Sequence, residues 1–141
     1  MKQLRDDLMV QQQVANEWQH MVGVICLNLS HRIPVKRVLP QLLTRYPTPD
    51  KLLAGRHSTL EKILAPCGLG KLKAKRIRGM SQDYLSWDKN DASKLYGIGK
   101  YGSDSYEIFY KNNLNIEPTD KELIKYIQRM TNPMHTDISR Y

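Results

Sequence analysis

Cysteine is scarce in this chain: two residues, Cys26 and Cys67, in 141. They stand far apart and form no CxxC pair, so neither a zinc site nor an iron–sulfur cluster is signalled. Both are expected in the core as small apolar residues, reduced in an intracellular compartment. No apolar run is long enough to span a membrane, and the first residues lack a signal-peptide pattern. There is no internal repeat and no low-complexity linker. Nothing alternates at period two for long enough to make a strand, so the fold class is all-α. Acidic residues are also in deficit: 14 Asp plus Glu against 22 Lys plus Arg give a formal net charge of +8. In one short domain that excess favours a polyanionic partner.

Helical spacing organises what is present. Residues from Leu4 to about Val14 read as a polar helix, and Gln11, Gln12 and Gln13 in it carry amides that suit either solvent or a base edge. Trp18 to Leu29 is apolar nearly all round, which marks a buried central helix. Pro34 suits a first turn, Pro40 is expected to kink the helix that follows, and Pro47 and Pro49 end it. A short helix from Pro49 to Ala54 closes on Gly55. Ser58 with Glu61 reads as a capping box before the next helix. A long helix then runs from Gly70 to about Leu85, and Thr119 is expected to cap a last one with Asp120 in its first turn.

Two glycine-flanked corners interrupt this pattern. Gly68, Leu69 and Gly70 precede a helix start rich in Lys71, Lys73, Lys75, Arg76 and Arg78. Gly97, Ile98 and Gly99 precede Lys100, Tyr101 and Gly102 at the start of another. Glycine lets the chain turn tightly and lets a ligand approach the main chain. The first amides of a helix lack intrahelical partners and sit at the positive end of its dipole, so each corner is a ready phosphate site. Asp91 to Phe109 reads as two short helices joined by the GIG turn, a helix–hairpin–helix. An aspartate, Asp120, follows Tyr101 by nineteen residues.

This chain resembles the helix–hairpin–helix DNA glycosylase superfamily, and within it the thymine glycosylase domain of the methyl-CpG-binding-domain protein. The residues that carry the resemblance are Leu27–Asn28, Arg45–Pro47, CGLGKLKAK at Cys67–Lys75, GIGKYGSDSYEIF at Gly97–Phe109 and PTDKEL at Pro118–Leu123. It covers nearly the whole chain, from about Met9 to Met130. The resemblance implies one domain over residues 1–141. One lobe would take residues 17–105, with the hairpin motif at 91–109. The other would combine the N-terminal helix with about 106–141. There would be no iron–sulfur cluster and no cofactor beyond a structural monovalent cation at the hairpin.

It also implies roles. Asp120 is the catalytic carboxylate, stabilising positive charge on the deoxyribose and orienting the attacking water. Tyr101 takes the position where the lyase-competent branch carries a nucleophilic lysine. A phenol cannot form a Schiff base, so the enzyme is expected to be monofunctional, with Tyr101 against the flipped base. Gln11 or Gln12 reads a pyrimidine edge. Gly97, Ile98, Gly99, Lys100 and Gly102 hold phosphates, as do Gly68, Gly70, Lys71, Lys73 and Lys75. Leu69 is the apolar plug beside the flipped nucleotide.

Leu29 stands where the relative carries the arginine that fills the emptied stack; either Leu29 or Arg32 takes that place here. The implied substrate is thymine, uracil or a 5-modified pyrimidine opposite guanine in double-stranded DNA, acted on by a monomer located with the genome. A glycosylase for mispaired adenine and a non-catalytic hairpin DNA-binding module remain as alternatives. If Met1 is the natural start, a minimal stand-alone enzyme is expected.

Overall fold

The computed structural model describes residues 14–30 and 32–131, with the side chain of Arg32 excepted. The expected polar helix before Val14, with Gln11 and Gln12, lies outside the described residues. So do the side chain of Arg32 and the tail beyond Thr131.

Among the described residues every regular element is helical: α1 Glu17–Leu27, α2 Arg32–Arg45, α3 Pro49–Ala54, α4 His57–Leu64, a 3-10 turn Ala65–Cys67, α5 Gly70–Tyr84, a second 3-10 turn Ala92–Lys94, α6 Lys100–Tyr110 and α7 Lys121–Thr131. α1 is the central helix, with all but its ends and Gln19 buried. Its start is fixed by a reciprocal cap. The Asn16 side chain accepts the Gln19 amide at 2.9 Å, and the Gln19 side chain accepts the Ala15 amide at 2.9 Å. α1 packs against α2, α5 and α6. One buried polar link ties it to α5: the Trp18 indole N–H donates to Ser81 Oγ at 2.9 Å, and that hydroxyl donates to the Ile77 carbonyl at 2.7 Å.

α2 runs unbroken through Pro40. Thr48 caps α3, with Pro49 at its first position, as the proline–glycine punctuation predicts. The Ser58 capping box does not form. α4 begins two residues earlier than a Ser58 cap implies, at His57, which places Ser58 inside the helix, and Glu61 pairs with His57 at 2.9 Å. The helix expected over 91–96 is a single 3-10 turn capped by Asp91.

α5 is the platform on which the second corner is mounted. Asp83 Oδ2 accepts the Tyr96 amide at 2.9 Å. The Tyr96 ring lies on Gly79, which has no room for a side chain. Gly97 lies against the aliphatic stem of Arg76. One helix therefore starts at the first glycine corner and supports the second.

Candidate nucleic-acid interface

The hairpin corner is a tight turn closed by the Ile98 amide donating to the Leu95 carbonyl at 3.1 Å. Gly97 sits in its third place at φ 80°, a conformation glycine adopts without steric cost. Gly97, Gly99 and Lys100 are exposed, and a Cβ on Gly99 would meet nothing within 4 Å. No side chain caps α6, and the first amides of a helix have no intrahelical acceptor. Lys100, at the first position of α6, pairs with Asp104 one turn on at 3.0 Å while its side chain stays 53% exposed.

Two expected phosphate ligands here have other work. The Ile98 side chain is buried in the core and its amide is used within the turn. Gly102 is buried: a Cβ there would stand 2.7 Å from Ile98 and 3.0 Å from Val24, so the glycine serves the close approach of α6 to α1.

The second corner begins at Gly68, φ 80°, followed by Leu69 at φ 54°, and again no side chain caps the helix that follows. Lys71 and Lys75 are exposed beside it. Gly70 is placed by packing, since a Cβ would come 3.0 Å from the Glu61 carbonyl. Lys73 does not belong to the basic face. It is 1% exposed, and its Nζ donates to the carbonyls of Cys26 at 2.9 Å and Cys67 at 3.1 Å. Burial pushes its pKa down, opposed by the two cysteine thiols. Arg78 is likewise turned inward, donating to the carbonyls of Leu52, Leu53 and Gly55 at the end of α3. Both cysteines are free and buried, as expected. The hydrogen bond between them, first, holds the Cys26 thiol well above its ordinary value and lowers Cys67 to about 7; the Lys73 charge also lowers Cys67, and burial opposes it.

Leu29 and Leu69 share an unusual state. Both are at φ 54°, and they are 78% and 47% exposed. A left-handed leucine costs roughly 1–2 kcal/mol, whereas burying one would contribute about 1.5–3 kcal/mol. Folding alone therefore favours glycine or asparagine at both turns, yet each carries an exposed apolar side chain.

Asp120 is the N-cap of α7, one place earlier than its expected position in the first turn. Its Oδ2 accepts the amides of Glu122 and Leu123, each at 3.0 Å. The carboxylate is thereby fixed at the positive end of the helix dipole. α7 is joined to α6 by the Phe109–Tyr126 ring contact, with centroids 4.7 Å apart. Tyr101, in the first turn of α6, is half-buried against the core. Behind it, His20 Nε2 meets Ser105 Oγ at 2.8 Å and Ser105 donates to the Gly102 carbonyl, a buried link between α1 and α6 that the sequence reading missed. Its signal was the lone histidine on an otherwise apolar helix. No group of three or more His, Cys, Asp or Glu residues able to hold a metal occurs among the described residues.

An all-helical fold, two helix starts at glycine corners and a capped aspartate are the features that the resemblance to helix–hairpin–helix glycosylases implies. The chain belongs to the HhH-GPD superfamily of base excision DNA repair proteins, which it matches over residues 22–137. It is similar to the methyl-CpG-binding domain protein 4-like protein of Arabidopsis thaliana, 27% identical over 110 residues that cover 77% of this chain and 25% of that one. It is also similar to a thymine-DNA glycosylase of Aeropyrum pernix, 23% identical over 124 residues that cover 82% and 55%. A trapped endonuclease III–DNA covalent intermediate shares the fold, with TM-score 0.67 and 18% identity over 82% of this chain and 60% of that one. A thermostable thymine-DNA glycosylase does so with TM-score 0.61 and 16% identity over 77% and 57%. The chain thus spans a quarter to a little over half the length of these two curated relatives. No helix among the described residues is long and apolar enough to cross a membrane.

Proposed function

We propose that this chain is a monofunctional DNA glycosylase that releases thymine or uracil, or a 5-modified pyrimidine, from a mispair with guanine in double-stranded DNA. The observation that carries the reading is Asp120, held by two backbone amides at the start of α7, in a chain whose exposed hairpin leads into a helix that no side chain caps. A hairpin DNA-binding module would use Asp120 only as a cap, whereas a glycosylase also uses its charge at the sugar.

In the reaction the C1′–N bond breaks and its electron pair leaves with the base. Positive charge builds on the sugar, and the Asp120 carboxylate stabilises it. Water attacks C1′ and loses a proton toward that carboxylate, while the departing base anion takes up a proton. The products are the free base and an abasic sugar hydroxyl. Tyr101 supplies no amine, so no covalent sugar adduct forms and the strand stays intact. The hairpin amides with Lys100, and Lys71 with Lys75, hold the backbone. Leu69 and Leu29 enter the stack. A mismatched base costs less to unstack than a paired one, which favours G·T and G·U over A·T. The name of the Aeropyrum pernix relative, a thymine-DNA glycosylase, supports the pyrimidine assignment.

The test is base release under single-turnover conditions from G·T, G·U, A·U, A·T and 8-oxoguanine·A duplexes. Thymine and uracil opposite guanine are expected, with little from A·T. Without the arginine of the relative, uracil release should discriminate only loosely between opposite guanine and opposite adenine. Adenine release from the last duplex, with nothing from the others, would reassign the pocket.

A further inference from the structure

Lys73 is the most buried charged side chain among the described residues, and it joins two turns that sequence separates by about forty residues. Its ammonium donates to Cys26 O in the last turn of α1 and to Cys67 O at the end of the 3-10 turn. Its own amide donates to Leu69 O at 2.8 Å. Leu29 follows Cys26 by three residues, and Leu69 follows Cys67 by two. One residue therefore holds the chain immediately before each exposed, left-handed leucine. Carbonyls at a helix end need a partner, and a cation is a favourable one. Yet replacing a buried charge with an apolar side chain of similar size is often neutral or stabilising. Packing alone does not call for a lysine.

We propose that Lys73 is a positioning residue that fixes Leu29 and Leu69 to each other, so that they enter the duplex as a single two-pronged wedge. This rests on the glycosylase reading above. The gap opened by a flipped nucleotide closes again unless it is filled, and a pair of side chains held at set separation fills it without being ordered on arrival. Losing the link leaves each leucine exposed but independent.

The experiment uses a G·T duplex with 2-aminopurine beside the target thymine. The fluorescence of that base rises on unstacking and requires no bond cleavage. The unsubstituted chain should give a clear rise. Lys73→Met should cut it at least fivefold while leaving the affinity for undamaged duplex, and its salt slope, unchanged. In the parent chain, Leu29→Ala, Leu69→Ala and the double variant should be strongly non-additive, either single change removing most of the rise. Both leucines are exposed, so this cycle can still overturn the wedge if Lys73→Met fails to fold. A full rise with folded Lys73→Met, two leucine effects that simply multiply, or no rise with the unsubstituted chain would overturn the proposal. A clear rise without release of thymine or uracil would remove the substrate assignment and leave the wedge standing.

Discussion

The Asp120 carboxylate accepts the Leu123 amide at 3.0 Å, with the same oxygen accepting the Glu122 amide at 3.0 Å. Capping and proposed catalysis thus reside in one side chain, and two substitutions separate them. Asp120→Asn keeps a capping oxygen and removes the charge. Its thermal stability should stay close to the parent while single-turnover base release falls by 10²-fold or more, about 3 kcal/mol. Asp120→Ala should lose activity and also about 1 kcal/mol of stability, read as a lower melting temperature. Activity retained in Asp120→Asn would move the chemistry to another group.

The two ends of the hairpin glycines should respond in opposite ways. Gly99→Ala has open space around its Cβ and should leave the fold intact while weakening binding to every duplex, damaged or not. Gly102→Ala puts a methyl 2.7 Å from Ile98 and should destabilise the fold by roughly 1–3 kcal/mol. Calorimetry and a binding titration on both variants check this. A Gly99→Ala effect confined to damaged DNA would show that the hairpin is not the general anchor.

Tyr101 predicts the form of the product. The abasic strand should remain intact until treated with alkali or heat, and borohydride should trap no covalent complex. An efficient trap that Lys100→Ala abolishes would make Lys100 a nucleophile.

Alkaline pH should loosen the contact of α6 with α1. Burial, then the charge of Glu17, raises Tyr110 from its ordinary value of 10.0 to about 12, and the same two causes push Tyr106 upward. The folded state then keeps protons that the unfolded chain has lost, so stability present below pH 10 declines as pH rises from 10 toward 12. Melting temperatures across that interval should fall, and Tyr110→Phe should flatten the fall. An identical slope in the variant would remove Tyr110 as the cause.

The helices were legible from apolar spacing and from proline and glycine at their ends, as in the apolar run from Trp18 and the stretch from Pro49 to Gly55. The hairpin was legible because glycine has a specific backbone use at Gly97. Lys73 was misread as part of a charge run, although it stands four residues before Ile77 and seven before Met80, on the buried stripe of α5. Gly102 was misread for the parallel reason: it stands four residues after Ile98 and four before Tyr106, both buried. In both cases helical phase outweighed residue type. The Ser58–Glu61 pattern failed because the helix already begins at His57, which puts Ser58 inside it and Glu61 against His57. No local pattern foretold that one ammonium would join Cys26 to Cys67, since that contact spans distant parts of the chain.

The most direct test of the account is the fate of a single G·T duplex incubated with the unsubstituted chain and, in parallel, with the Asp120→Asn variant. The base fraction is analysed by mass spectrometry and the strand by electrophoresis before and after alkali. The account predicts free thymine and an intact, alkali-labile strand from the unsubstituted chain, with neither from Asp120→Asn. An unmodified duplex in both reactions, or equal thymine release in both, would contradict it.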